Sequence, residues 1–245
     1  MHRQKPFISI VFILYLVGIH ILSVMLMASI VGLYSPSFLE SNKQKRIIKE
    51  QFNQSVIFHG RIDKNLPSGV VIFIGDSIIK GLAISAVHPL SVNFGIGHDT
   101  TAGVIQRLPT YKSIKKASLI VLGIGVNDLG RLSNAEITRN YATIFGLIPE
   151  DKLVLLSKIL PIDESLKSKN GYNARIISLN RVLDKFCAEV ARLECLDIGP
   201  LLVNEKGNLS SDFHIGDGIH LNSVGYHVWI KALKKKIKMI FNKTQ

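Results

Sequence analysis

Val70-Val71-Ile72-Phe73-Ile74-Gly75-Asp76-Ser77 decides how this sequence folds. The run is apolar, rich in β-branched residues, and stops at a Gly-Asp-Ser turn. A strand of this kind suits a parallel sheet, where both faces are buried. Working outward, similar runs predict strands at 90–94, 118–123, 152–156 and 196–198. Between them, helices are predicted at 78–87, 101–108, 134–147, 174–193 and 222–240. Within 174–193, Ile176, Ile177, Leu179, Leu183, Phe186 and Val190 recur at helical spacing. Strict strand–helix alternation predicts a three-layer α/β/α sandwich around a five-stranded parallel sheet with right-handed crossovers.

Upstream, residues 7–34 contain no Asp, Glu, Lys or Arg. A membrane-spanning helix needs roughly 20 apolar residues. A cleaved signal peptide has an apolar region of only about 7–15 residues and a small-residue cleavage site. The longer run here predicts an uncleaved signal anchor over 1–34. Arg3 and Lys5 precede it, which places the N-terminus in the cytoplasm and the rest of the chain in the periplasm or outside the cell. Lys43, Lys45, Arg46 and Lys49 lie beyond its other end and pull against that orientation. Residues 35–66 are polar and read as a juxtamembrane linker with helical pieces such as 45–52. Pro67-Ser68-Gly69 then opens a domain over 67–245.

The net charge is +12; without Arg3 and Lys5 it is 28 − 18 = +10. Most lysines are scattered, as on an ordinary solvated surface, and cluster only over 231–238. No helix-turn-helix, zinc-finger or RNP pattern accompanies them, so no nucleic-acid partner is expected. Cys187 and Cys195 have no zinc-ligand spacing and read as small apolar fillers, with a disulfide open only in an oxidising compartment.

In an open parallel sheet, sites form at the C-terminal strand ends. Four segments there carry chemistry. Ser77 sits at a strand-to-helix turn, where its N–H can face an anion, although Asp or Ser before a helix is also an ordinary cap. Asn93 to Thr101 holds Gly95 and Gly97, but Thr100 stands where a dinucleotide fingerprint needs its third glycine. Gly125-Val126-Asn127-Asp128 offers an amide donor. In Asp217-Gly218-Ile219-His220, the Asp can orient the His as a general base. His214, Asp212, Asp217 and His220 lack any recognised ligand spacing, so no metal and no cofactor are expected.

These blocks, in this order, resemble those of the SGNH (GDSL) hydrolase family over about 70–240. The resemblance implies the family's flavodoxin-like fold and a carboxylic ester hydrolase. It further implies Ser77 as nucleophile, His220 as base and Asp217 as its orienter. The Ser77 N–H, the Asn127 amide and the His98 N–H become oxyanion donors, with Gly75, Asp76, Gly95, Gly97, Gly125 and Asp128 supporting. His98 departs from the pattern, which has Gly there, and it fits as a donor if its φ is negative. The expected substrate is a short-chain acyl ester, carried on a glycan or a lipid. An O-acetyl esterase or acyltransferase on an envelope polysaccharide, and a non-catalytic envelope-binding module, are the alternatives.

Overall fold

The computed structural model describes residues 7–33, 36–167 and 170–243. The chain divides into two compact units, 1–50 and 51–245.

In the first unit, helix α1 (Phe7–Leu33) carries no acidic or basic residue in its terminal turns. Its stretch Val11–Gly32 is long and apolar enough to cross a membrane. Helix α2 (Pro36–Asp63) begins here and runs on into the second unit. The expected linker of helical pieces is therefore one continuous helix. Its last turns are structural, because His59 and Asp63 are buried. Asp63 accepts from the backbone N–H of Lys112 (2.8 Å) and Ser113 (3.0 Å) and from the Ser113 hydroxyl. The His59 ring lies 4.8 Å from that of Phe94.

The second unit contains β1 (Val71–Gly75), α3 (Ser77–Lys80), β2 (Ser91–Gly95), α4 (Thr101–Arg107), β3 (Leu119–Gly123) and α5 (Asn134–Leu147). It continues with β4 (Val154–Ser157), α6 (Glu164–Lys167), α7 (Tyr172–Glu189), β5 (Leu193–Leu196) and α8 (Ser223–Lys243). All strands are parallel, in the order β2-β1-β3-β4-β5. This is the flavodoxin-like order.

Successive side chains of a strand point to opposite faces, and the core divides accordingly. Ile72 and Ile74 of β1 join Ile120 and Leu122 of β3 under α4, α5 and α7. Val71 and Phe73 join Val121 and Leu155 under α8, which contributes Trp229, Leu233, Ile237 and Ile240. The sandwich thus has the expected three layers.

The main departures from the periodicity lie in two places. The predicted helix 78–87 stops after Lys80, and a 3-10 turn follows at Ile84–Ala86. The Asn93 amide of β2 donates to the carbonyls of Ile79 (2.8 Å) and Leu82 (3.2 Å), drawing the chain out of the helix. At the other edge, β5 lies at Leu193–Leu196 rather than 196–198, because α7 ends at Glu189 and Val190 is extended. The expectation of unpaired cysteines also fails here. Cys187 on α7 and Cys195 on β5 form a disulfide, 5.9 Å between Cα atoms.

Candidate active site

β1 delivers its C-terminus to Gly75, and the turn to α3 begins immediately. A side chain at Gly75 would place its Cβ 2.0 Å from the Gly123 carbonyl oxygen of β3, so only glycine allows the two strand ends to close. Asp76 caps α3, its carboxylate accepting from the Ile78 N–H at 2.9 Å. The Ser77 N–H belongs to the first helical turn and has no acceptor inside the helix.

Ser77 Oγ lies 2.8 Å from His220 Nε2. His220 Nδ1 lies 2.5 Å from Asp217 Oδ2. A carboxylate only accepts, so Nδ1 carries the ring proton and Nε2 is left to accept from the serine hydroxyl. The other Asp217 oxygen accepts from the backbone N–H groups of Ile219 and His220, both at 2.9 Å. Burial would raise the Asp217 carboxyl. The hydrogen bonds from the His220 ring and the two N–H groups outweigh it and bring it down to about 2.

The expected oxyanion side has a different character. The Asn127 amide donates to the Asp99 carbonyl at 2.9 Å, using one of its two hydrogens. His98 is exposed at the third position of a turn closed by the Asp99 N–H and the Ile96 carbonyl (3.3 Å). Its φ is +61°, the left-handed region, not the negative value expected for a non-glycine donor. The turn sets this angle: its third position takes positive φ in several turn types. Asp128 is fully buried, and its Oδ1 accepts from the Thr101 hydroxyl at 2.6 Å, tying the third block to the start of α4.

Gly95 lets α3 lie against β2, since a Cβ there would meet the Lys80 backbone nitrogen at 2.3 Å. Gly125 takes φ +124°, a backbone that side chains rarely adopt. Gly97 is open to its surroundings: a Cβ added there would meet nothing within 4 Å.

Two residues matter that the sequence did not single out for these roles. The Arg107 side chain is fully enclosed and pairs with Asp99 at 2.9 Å. It also donates to the carbonyls of Phe94 (2.8 Å) and Gly75 (3.1 Å) and to the Tyr111 hydroxyl (3.1 Å). One guanidinium therefore joins the ends of β1 and β2 to the second block. The second residue is His214. Its Nδ1 accepts from the N–H groups of Gly216 (3.0 Å) and Gly218 (3.3 Å), inside the turn that carries Asp217. Accepting at Nδ1 leaves the proton on Nε2, which faces Asp163 Oδ2 at 3.7 Å. The Asp163 N–H in turn donates to the Gly218 carbonyl at 2.8 Å.

Burial also governs the acids beneath the serine. Asp76 is pushed up to about 7 by burial, against its bond from Ile78 and with help from the charges of Asp99 and Asp128. Asp99 is raised by burial despite Arg107. Asp128 is raised by burial despite its bonds from Thr101. His59 is lowered to about 4, by burial first and then by the charges of Arg107 and Lys80. Among the described residues, no group of three or more His, Cys, Asp or Glu is placed to hold a metal ion.

Comparison with known proteins places this geometry in context. The GDSL-like lipase/acylhydrolase family model matches residues 73–228. The chain is 29% identical over 187 residues to the platelet-activating factor acetylhydrolase IB subunit alpha2 of Rattus norvegicus, covering 71% of this chain and 78% of that protein. A solved structure from Streptococcus pneumonia superposes with a TM-score of 0.74 at 21% identity, over 81% of this chain and 98% of its own. A GDSL-like lipase from Bacteroides thetaiotaomicron gives 0.64 at 19% identity, over 76% and 98%. The acetyl-xylooligosaccharide esterase of Geobacillus stearmophilus gives 0.56 at 20%, over 70% and 95%.

Proposed function

Since the chain belongs to the GDSL-like lipase/acylhydrolase family and is a carboxylic ester hydrolase, we propose that Ser77 is its nucleophile and that it works through an acyl-enzyme. The observation that carries this is the continuous line from Ser77 Oγ through His220 to Asp217. His220 Nε2 takes the hydroxyl proton as Ser77 attacks the ester carbonyl, and Asp217 stabilises the imidazolium that forms. The oxyanion is met by the Ser77 N–H and the free hydrogen of the Asn127 amide, and by the N–H of His98, which the positive φ keeps in the turn a glycine would form there rather than through the negative φ expected of a non-glycine donor. Each such donor contributes roughly 2.7–4 kcal/mol to the transition state. His220 then protonates the leaving alcohol, and water repeats the sequence on the acyl group.

A short acyl group is favoured by the names of two similar proteins, an acetylhydrolase and an acetyl-xylooligosaccharide esterase. An O-acetylated envelope polysaccharide, deacetylated or used as acceptor, is the second reading. It rests on placing the domain outside the cytoplasm. The apolar α1 supports a membrane anchor, and the Cys187–Cys195 disulfide supports an oxidising compartment.

Ser77→Ala should lower hydrolysis of p-nitrophenyl acetate at least about a thousandfold with an unchanged unfolding midpoint. Wild-type turnover in that variant would remove Ser77 from the mechanism. Acetate released in the presence of an O-acetyl glycan would favour hydrolysis; acetyl appearing on a second sugar would favour transfer.

A further inference from the structure

Helix α8 holds six lysines and no acidic residue. Glu194 of β5 neutralises two of them, Lys236 at 2.7 Å and Lys243 at 2.9 Å, on one flank of the helix. The other four, Lys231, Lys234, Lys235 and Lys238, are exposed and form no ion pair or hydrogen bond among the described residues. With His227 they recur at i, i+4, i+7, i+8 and i+11, which is a single stripe along the helix. On the flank away from Glu194 the stripe borders a groove of about 840 Å³ between α8 and the chain at Val87 and His88. Its apolar lining comes from Val87, Ile230, Ile237 and Phe241.

A solvated cationic face does not need an apolar trough beside it. Here the two run in parallel, and the lysine stems are long enough to reach along the trough while their ammonium groups stay at the rim. Apolar lining with a cationic edge complements a molecule that has acyl chains and an anionic head. Leu90, beside His88, is also large, apolar and exposed. The same chain contains a helix apolar enough to cross a bilayer, so its partners include lipid wherever that helix is inserted.

We propose that the α8 groove and its four unpaired lysines bind anionic phospholipid at a membrane surface. The proposal is independent of the catalytic assignment of Ser77. Each lysine near an anionic surface contributes roughly fivefold to association, so four acting together give a strong dependence on headgroup charge.

The test uses the full chain in a neutral detergent, with dihexanoylphosphatidylglycerol or dihexanoylphosphatidylcholine added. Lysine acylation by an amine-reactive ester is read by peptide mass spectrometry. The anionic lipid should slow acylation of Lys231, Lys234, Lys235 and Lys238 by roughly fivefold or more, and the zwitterionic lipid should not. Lys115 and Lys185, exposed elsewhere, should react equally in both. The variant with all four lysines changed to Gln should lose calorimetric binding of the anionic lipid while hydrolysing p-nitrophenyl acetate at the parent rate. Equal protection by both lipids, or none by either, would overturn the proposal. So would protection by glycerol 3-phosphate alone as strong as by the lipid, since that would assign the lysines to a soluble phosphate.

Discussion

Ser77 follows a strand end that a buried guanidinium ties to its neighbour and to Asp99, the residue whose carbonyl Asn127 meets, whereas Asp217 and His220 stand on a loop held by its own backbone. On the Ser77 side, Arg107 reaches the carbonyls of Gly75 and Phe94 and the carboxylate of Asp99, with essentially no solvent contact. On the His220 side, the Asp217 and His220 side chains are about a third exposed. Their turn is held by His214, by the Asp163 N–H and by the pairing of His214 with Leu221. The first side is held by a charge that cannot be removed without leaving another buried and unpaired. The second is held by single hydrogen bonds, those of His214 and Asp163 and those to the Asp217 carboxylate, that can be lost one at a time. Fold integrity should therefore depend more on the first, and the placing of His220 more on the second.

Arg107→Met breaks the comparison most severely. It keeps much of the side-chain volume but leaves Asp99 buried without its cation. Removing one partner of a buried pair costs about 3–5 kcal/mol. Urea unfolding should show a loss of that size, and activity should fall with the folded fraction. A loss under about 1 kcal/mol, as for an exposed pair, would mean that water reaches Asp99 and that the Ser77 side is not held as described.

His214 gives the matching experiment on the other side. Leu at this position removes the acceptor for the Gly216 and Gly218 N–H groups. Unpaired buried donors cost about 1–3 kcal/mol, and a shift of the Asp217 turn by an ångström costs up to about a hundredfold in rate. His214→Leu should thus lower kcat by about ten- to a hundredfold with KM little changed. His214→Asn places its amide oxygen where Nδ1 lies and should restore most of that loss. If Asn and Leu behave alike, His214 serves packing rather than the turn.

The two sides also respond to pH with opposite sign. Asp76 is raised by burial to about 7. A raised carboxyl contributes stability that is full below its unfolded value near 4 and is lost as pH rises through about 7. Asp217, opposed by burial but lowered by its hydrogen bonds to about 2, contributes stability that is present above about 4 and lost as pH falls through 2. Asp76→Asn keeps an oxygen for the Ile78 N–H and should flatten the decline in stability between about pH 4 and 7. Asp217→Asn should flatten the decline between about pH 4 and 2. Unfolding midpoints measured across pH 2–8 separate the two. Unchanged slopes in both variants would place the titrating groups elsewhere.

What the sequence made legible divides along the same line. The meeting of Ser77, His220 and Asp217 could be read because each lies in a short block whose spacing suits its chemistry. The five strands could be read because a strand buried on both faces is a continuous apolar run, as at Val71–Gly75. Arg107 could not, since an Arg in the last turn of a helix ordinarily faces water, and only the approach of β1, β2 and Asp99 encloses it. A weak signal did exist: Asp99 lies eight residues before it, about two helical turns. His214 reads in the sequence only as a metal-ligand candidate, because hydrogen bonds to its own downstream backbone leave no spacing pattern. The boundaries at Lys80 and Glu189 were hidden for a related reason. Asn93 acts from outside the segment that it ends, and the end of α7 at Glu189 follows from the extended backbone of Val190, which no side-chain pattern announces.

His98 is where the two kinds of information meet, and it gives the smallest expected effect. The block pattern has Gly at this position, and the backbone retains the conformation a glycine would take, with φ +61°. A side chain there is strained by about 1–2 kcal/mol. His is exposed, so removing its ring uncovers little core. His98→Gly should therefore raise stability, by less than the strain relieved, because glycine also gains freedom in the unfolded chain at about 0.5–1 kcal/mol. A net gain of about 0.5–1 kcal/mol in urea unfolding is expected. Since the proposed oxyanion donor is the backbone N–H, turnover of p-nitrophenyl acetate should stay within about threefold of the parent, while the preference among C2 to C8 esters should broaden if the ring lines the acyl site. A large drop in kcat on the acetate ester would mean that the imidazole itself, not the N–H, serves the reaction. Its Ala counterpart keeps the strain and loses the ring, so His98→Ala should share any change in ester preference and none of the gain in stability.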